Sequence, residues 1–251
     1  PRFLESAGKS KEAEALVIKM EMQAGVTSAY AAENMALLKN EKIGSITFAE
    51  LWSKKYIRTT LVLWIIWFGI NFGYYGFVLW TPTLLMGKGF ALVKSFEFTL
   101  IMCLAQLPGY FSAAYLVEKI GRKPVLALYF LGTASAAWLF GHGESVNEVI
   151  LYGCLLYFFS LGTWGCVYAY TPEMYPTIAR ATGVGWASAF GRVGAFIAPF
   201  IVPVIYNAYG KDSGYTYVFV MLTAVFALVA IVVAFFGQET KGRSLEEISG
   251  S

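Results

Sequence analysis

The sequence predicts an all-α membrane protein with six transmembrane helices, and three observations predict it. Of the 251 residues, 57% are apolar and only 14% are charged, whereas a soluble domain carries about a quarter charged residues. Mean hydropathy is +0.58. Six stretches reach the roughly 20 mostly apolar residues that a bilayer-spanning helix needs. The basic residues between them sort to alternating sides.

The spans are expected at residues 59–80, 96–117, 124–140, 149–170, 182–206 and 215–237. The first stops at Thr81-Pro82. Short connections make neighbouring helices antiparallel. Nine basic residues lie in 1–58, three in 118–123, one in 171–181 and two after 237, fifteen in all. The other side holds Lys88, Lys94 and Lys211. By the positive-inside rule, both ends of the chain are cytoplasmic; the expected location is the cell membrane.

The domains follow: residues 1–58 form a cytoplasmic stretch, 59–237 the membrane bundle and 238–251 a cytoplasmic tail. Ala13, Leu16, Val17 and Met20 recur at helical spacing among Lys and Glu, and residues 29–38 suit a second short surface helix. The stretch has no signal-peptide pattern. Beginning at Pro1-Arg2, the chain is expected to be part of something longer. Cys103, Cys154 and Cys166 lie inside apolar runs, as small hydrophobes rather than a disulfide or metal framework. A net charge of +3 is too balanced for nucleic-acid binding. With no H-E-x-x-H, no G-x-S-x-G and no intramembrane Asp pair, catalysis is not expected, nor is a cofactor.

Four loop motifs are specific. They are Pro1-Arg2-Phe3-Leu4; Glu118-Lys119-Ile120-Gly121-Arg122-Lys123; Pro172-Glu173-Met174-Tyr175-Pro176 followed by Arg180; and Gln238 to Ile248, reading Q-E-T-K-G-R-S-L-E-E-I. They resemble the P-E-S-P-R, D-R-x-G-R-R/K, E-x-x-P-x-x-x-R and P-E-T-K-G-R-x-L-E-E motifs of the major facilitator superfamily, in its branch of sugar porters and organic-ion transporters. The resemblance covers almost the whole chain and implies helices seven to twelve, one half of that fold. It implies a missing N-terminal six-helix half as partner, and a cytoplasmic gate of Glu118, Arg122, Glu173, Arg180, Glu239 and Arg243. The alternative is that these charges only fix topology; surface pairs are worth ~0–1 kcal/mol each, so a gate needs several.

Departures bear on the cargo. Gly69-Ile70-Asn71 is present, but Ile65 and Ile66 stand where sugar porters carry glutamines, and Gly162 to Tyr168 replaces their P-x-P-W. A hexose would lose its hydroxyl partners. Arg192 lies ten residues beyond Thr182, about 15 Å deep. Insertion of such an arginine costs about 2.5–3.5 kcal/mol, so it must face a partner or a wet cavity. An ion pair and a substrate-facing role are both open, although no carboxylate of this chain is expected at that depth. Bacterial nicotinate transporters resemble Gly76-Phe77, Leu104 to Tyr110 and Tyr168 to Glu173. The resemblance implies transport of a small organic anion, an aromatic carboxylate such as nicotinate. Sugars, other metabolites, or a non-transporting receptor of transporter descent are the alternatives.

Other candidates fit a ring-shaped cargo. Asn71, Tyr74, Tyr75 and Val78 share one helix face; Ser160, Trp164 and Tyr168 share another. Tyr and Trp stack on rings and offer donors, and packing or lipid contact is the plain alternative. Gln106, beside Pro108-Gly109, serves helix–helix bonding or binding. Gly183, Ala187, Gly191 and Ala195 form a small-residue ridge for close helix approach. Proton coupling would need a titratable group in the pathway; Glu97 lies near an outer helix end, so that group is expected in the missing half.

Overall fold

The computed structural model describes residue 4, residues 8–24 and residues 46–242, and every regular element among them is helical. The chain divides into two compact units, Pro1–Ser45 and Ile46–Ser251. The first holds α1 (Ser10–Ala24), where Ala13 is buried, Leu16 and Val17 are half-buried and Met20 is exposed. The short helix expected at 29–38 lies outside the described residues.

The second unit opens with a 3-10 turn, Ala49–Trp52. Then come α2 (Ile57–Val78), α3 (Thr81–Gly87), α4 (Leu92–Leu104) and α5 (Gln106–Ile120). α6 (Arg122–His142) and α7 (Val146–Glu173) follow. The last two are α8 (Thr177–Gly210) and α9 (Ser213–Phe236), with α4 and α5 sharing one span. Among the described residues, six helices are therefore long and apolar enough to cross a membrane.

Local sequence explains the boundaries. α2 ends before Thr81-Pro82 because Pro82 cannot donate to a preceding turn and instead opens α3. α4 and α5 bend at Ala105, three residues before Pro108, whose missing N–H leaves the Leu104 carbonyl without its helical partner. Glu148 and Ser145 cap α7 reciprocally. Gly210 separates α8 from α9 with φ 74° and ψ 175°, a conformation only glycine adopts without strain.

The spans run a turn longer than expected at several ends. The second starts at Leu92 and ends at Ile120, and the fourth continues through Pro172 to Glu173. Polar residues at these ends still complete helical turns, which hydropathy alone does not register.

Glycine seams hold the bundle. α2 lies between α8 and α9: a Cβ on Gly69 would strike Val229, one on Gly73 would strike Phe226, and Gly194 meets the Phe68 carbonyl. Gly141 packs on Phe219, Gly162 on Tyr129, and Gly109 on the backbone of Phe158. α6 thus joins α9 to α7, and α5 lies on α7. The expected ridge on α8 does pack, through Gly183 on the Tyr175 ring, buried Ala187 and Gly191 on Trp67 and Asn71. Gly194 replaces half-buried Ala195 as its next member, because steps of four residues overshoot a 3.6-residue turn.

Burial is uneven. In the first span 61% of the apolar window is buried, but only 22% in Leu92–Ile120 and in Thr177–Gly210. These two spans turn a face away from the bundle. On α8 that face carries Ala181, Gly185, Ala189, Arg192 and Phe196, and a groove of about 400 Å³ runs past its first three members.

Candidate functional site

An aromatic wall forms where α2 meets α7. The Tyr74 and Trp164 rings meet edge to face with centroids 5.9 Å apart, and Trp164 stacks on Tyr168 at 5.7 Å. Trp67 closes the corner, 6.0 Å from Trp164 and 5.4 Å from Tyr168, edge to face with both. Tyr75 meets Tyr74 at 5.5 Å, and the Tyr74 hydroxyl lies beside the Gln106 side chain. Five expected residues from three helices are thus brought together. Trp164 is buried, whereas Tyr168 is 54% exposed and presents a free ring face.

Asn71 sits behind this wall. It is fully buried, and its Nδ2 donates to the Trp67 carbonyl at 2.8 Å. Its Oδ1 is buried without a partner, as is the Ser160 hydroxyl one turn from Trp164. An unmade buried hydrogen bond costs about 1–3 kcal/mol, so both atoms have capacity for a donor.

Arg192 follows directly on Gly191, which touches Asn71 and Trp67. The helix crossing therefore sets Arg192 close to the depth of Asn71. The side chain is exposed, and among the described residues no carboxylate pairs with it. Its face of α8 points away from α2, toward the uncovered side.

A charge cluster forms at the end of the bundle that carries Arg122. Its Nε donates to Glu173 Oε2 at 3.1 Å, and Nη2 reaches Glu118 at 2.9 Å. Glu239 accepts from the backbone N–H groups of Arg122 at 3.0 Å and Lys123 at 3.1 Å, and also from Lys241 at 2.8 Å. It thereby caps α6, whose N-cap residue Gly121 has no side chain to do so. An anion at a helix N-terminus is favoured by the exposed N–H groups and the helix dipole. Thr240 donates to Glu173, and the Tyr170 hydroxyl bridges the Gln238 carbonyl and N–H at 2.8 Å each.

Glu118, Arg122, Glu173 and Glu239 are thus in one network. Arg180 is not in it: its Nε and Nη2 are buried without partners, and Glu173 is held by Arg122 instead. Arg243 and the rest of that tail motif lie outside the described residues.

Trp67 was not among the expected site residues. It lies one turn before Asn71 on the same helical face, so extending the 71, 74, 75, 78 pattern backward reaches it. It is 2% exposed, and its Nε1 donates to Thr171 Oγ1 at 3.0 Å.

The sugar (and other) transporter family matches residues 1–250. The chain belongs to this family, within the major facilitator superfamily. The niacin transporter NiaP of Acinetobacter baylyi is 44% identical over 246 residues, covering 98% of this chain and 55% of that protein. A Bacillus subtilis protein whose name proposes niacin or nicotinamide as cargo is 45% identical over 196 residues, covering 78% and 48%. A double tryptophan mutant of XylE superposes with a TM-score of 0.77 at 22% identity, covering 100% of this chain and 53% of that one. The chain therefore spans about half the length of the relatives it matches. The superposition corroborates the fold: six helices forming one half of the superfamily architecture. The chain is a multi-pass membrane protein.

Proposed function

We propose that this chain forms one half of a secondary transporter that moves a small aromatic carboxylate, such as nicotinate, by alternating access. The observation that carries the reading is Arg192, an unpaired guanidinium at the depth of the Tyr74–Trp164–Tyr168 wall. A guanidinium presents a planar fork that matches a carboxylate with two parallel hydrogen bonds. Each hydrogen bond to a charged group contributes about 1.5–3 kcal/mol, which offsets much of the cost of holding the charge in the membrane.

In this reading the cargo ring stacks on Tyr168 and Trp164, and its carboxylate reaches the Arg192 guanidinium, which stands on the uncovered face of α8 and not in the wall itself. Asn71 and Gln106 offer further polar groups, and Tyr74 and Tyr75 bound the outer side. The site lies between this bundle and a complementary six-helix half, near the membrane midplane. That half covers the open faces of α4, α5 and α8. The Arg122 end is the cytoplasmic side of the cell membrane, and its charge cluster holds that side closed while the cavity opens outward. A co-transported proton would use a titratable group in the complementary half. The chain performs no catalysis.

The relative named for nicotinamide makes a neutral cargo the second reading, and one experiment separates the two. Uptake of labelled nicotinate and nicotinamide is measured on the full-length protein with Arg192, Arg192→Lys and Arg192→Ala. The carboxylate reading expects Arg192→Lys to weaken nicotinate uptake and Arg192→Ala nearly to abolish it, with nicotinamide affected far less. Normal nicotinate uptake by a well-expressed Arg192→Ala protein would make Arg192 structural.

A further inference from the structure

We infer that the hydrogen bond between Trp67 and Thr171 couples the aromatic wall to the Arg122–Glu173 ion pair. The inference rests on the wall being the cargo site and adds how its occupancy reaches the far charges.

Three features of α7 place the coupling there. Tyr168, on the wall, and Glu173, in the ion pair, are five residues apart on this helix. Between them stands Pro172, which has no N–H for the Tyr168 carbonyl, so the helix lacks a bond at this turn. Beyond it, the Met174 N–H reaches only the Thr171 carbonyl, at 3.3 Å. The last turn of α7 is thus a weak joint inside a helix whose two ends do different work.

The Trp67–Thr171 bond bridges that joint from outside. Thr171 Oγ1 donates to the Val167 carbonyl at 2.7 Å and accepts from Trp67 Nε1 at 3.0 Å. The same indole packs edge to face on Trp164 and Tyr168. A cargo ring that presses on these two rings displaces Trp67. Through a single hydrogen bond this loads the turn carrying Glu173. Both partners are buried, so no water replaces the bond when it breaks. Trp67 and Thr171 are positioning residues: neither need touch the cargo.

The test uses the full-length protein in inside-out membrane vesicles, with a reporter cysteine at Val117→Cys, a position 5% exposed whose carbonyl accepts from Arg122 Nη1. Its labelling by an impermeant maleimide reports opening of the charge cluster, and the parent without that cysteine sets the background. Without cargo, Thr171→Val is expected to raise labelling roughly fivefold, the equivalent of one net hydrogen bond. Thr171→Ser keeps the hydroxyl and should match the parent. Thr223→Val, whose hydroxyl serves only the Phe219 carbonyl of its own helix, should also match it. Trp67→Phe should resemble Thr171→Val, and the double variant should exceed neither single one.

Nicotinate should then change labelling in the parent and in Thr171→Ser but not in Thr171→Val. Parent-like labelling of Thr171→Val, or additive effects in the double variant, would overturn the coupling. If nicotinate changes labelling in no protein, the parent included, the cargo reading fails while the cargo-free comparison still decides the coupling.

Discussion

Gly191 of α8 lies directly on the Asn71 side chain of α2, where a Cβ would stand 2.8 Å from the amide nitrogen and 2.8 Å from the Trp67 carbonyl oxygen. The contact fixes the depth of Arg192 relative to the aromatic wall, because the arginine is the next residue along the helix. Backbone cannot yield as a side-chain tip can. Gly191→Ala should therefore cost about 1–3 kcal/mol through overpacking and displace Arg192. Thermal unfolding in detergent should show the loss, and uptake should fall. Gly185→Ala is the control, since nothing lies within 4 Å of its Cβ position; equal losses at both sites would refute the seam.

The ion pair of Arg122 with Glu173 makes a charge-reversal prediction. Glu173→Lys sets two cations face to face in a half-buried place, so transport should drop while expression holds. Exchanging the charges, with Arg122→Glu and Glu173→Arg together, should recover part of the loss. Uptake and membrane abundance measured side by side decide this. Unchanged transport in Glu173→Lys would leave these charges with topology alone.

Gly121 allows a sharper test of the same cluster. Its φ is 110°, and a Cβ there would stand 2.6 Å from Glu239 Oε2. Gly121→Ala should strain the backbone by about 1–3 kcal/mol and push Glu239 off the N-terminus of α6. Glu239→Gln keeps the shape and weakens the same cap. The two changes act on one contact, so their combined effect on unfolding temperature should be smaller than the sum.

The wall predicts an affinity pattern. Edge-to-face and stacked aromatic pairs are worth about 0.5–1.5 kcal/mol beyond the area they bury. Tyr168→Ala should weaken nicotinate binding several-fold, because its exposed ring is the free stacking face, whereas Tyr168→Phe should not. Tyr74→Phe should keep the wall and lose only the contact with Gln106. Binding to detergent-solubilised full-length protein, followed by tryptophan fluorescence, would show the ranking.

Hydropathy located all six spans, because the bilayer demands about 20 apolar residues whatever the packing. The helix ends were harder to read. Leu92 and Glu173 lie inside helices that polar neighbours disguise, and backbone hydrogen bonding rather than hydropathy decides them. Helical periodicity brought Tyr74, Trp164 and Tyr168 onto facing surfaces, but a single helix face cannot say which neighbour it meets. Arg180 illustrates this: its spacing from Glu173 suits one network, yet Arg122, 51 residues away in sequence, takes the carboxylate. Glu239 is the opposite case. A tail motif placed it at the right end, but its work as a cap for α6 depends on Gly121 having no side chain, which only the fold discloses.

The thin burial of α4, α5 and α8 has a mechanical consequence. Lipid tails and apolar side chains offer a helix nearly the same surroundings. A face of Leu, Phe and Val can therefore exchange one for the other at little cost in free energy. Arg192 is the exception on α8, a charge that lipid would reject. Under the proposed alternating-access cycle, such greased surfaces would set no preferred stopping point, and the stops would fall to charged and hydrogen-bonded ends such as the one built around Arg122.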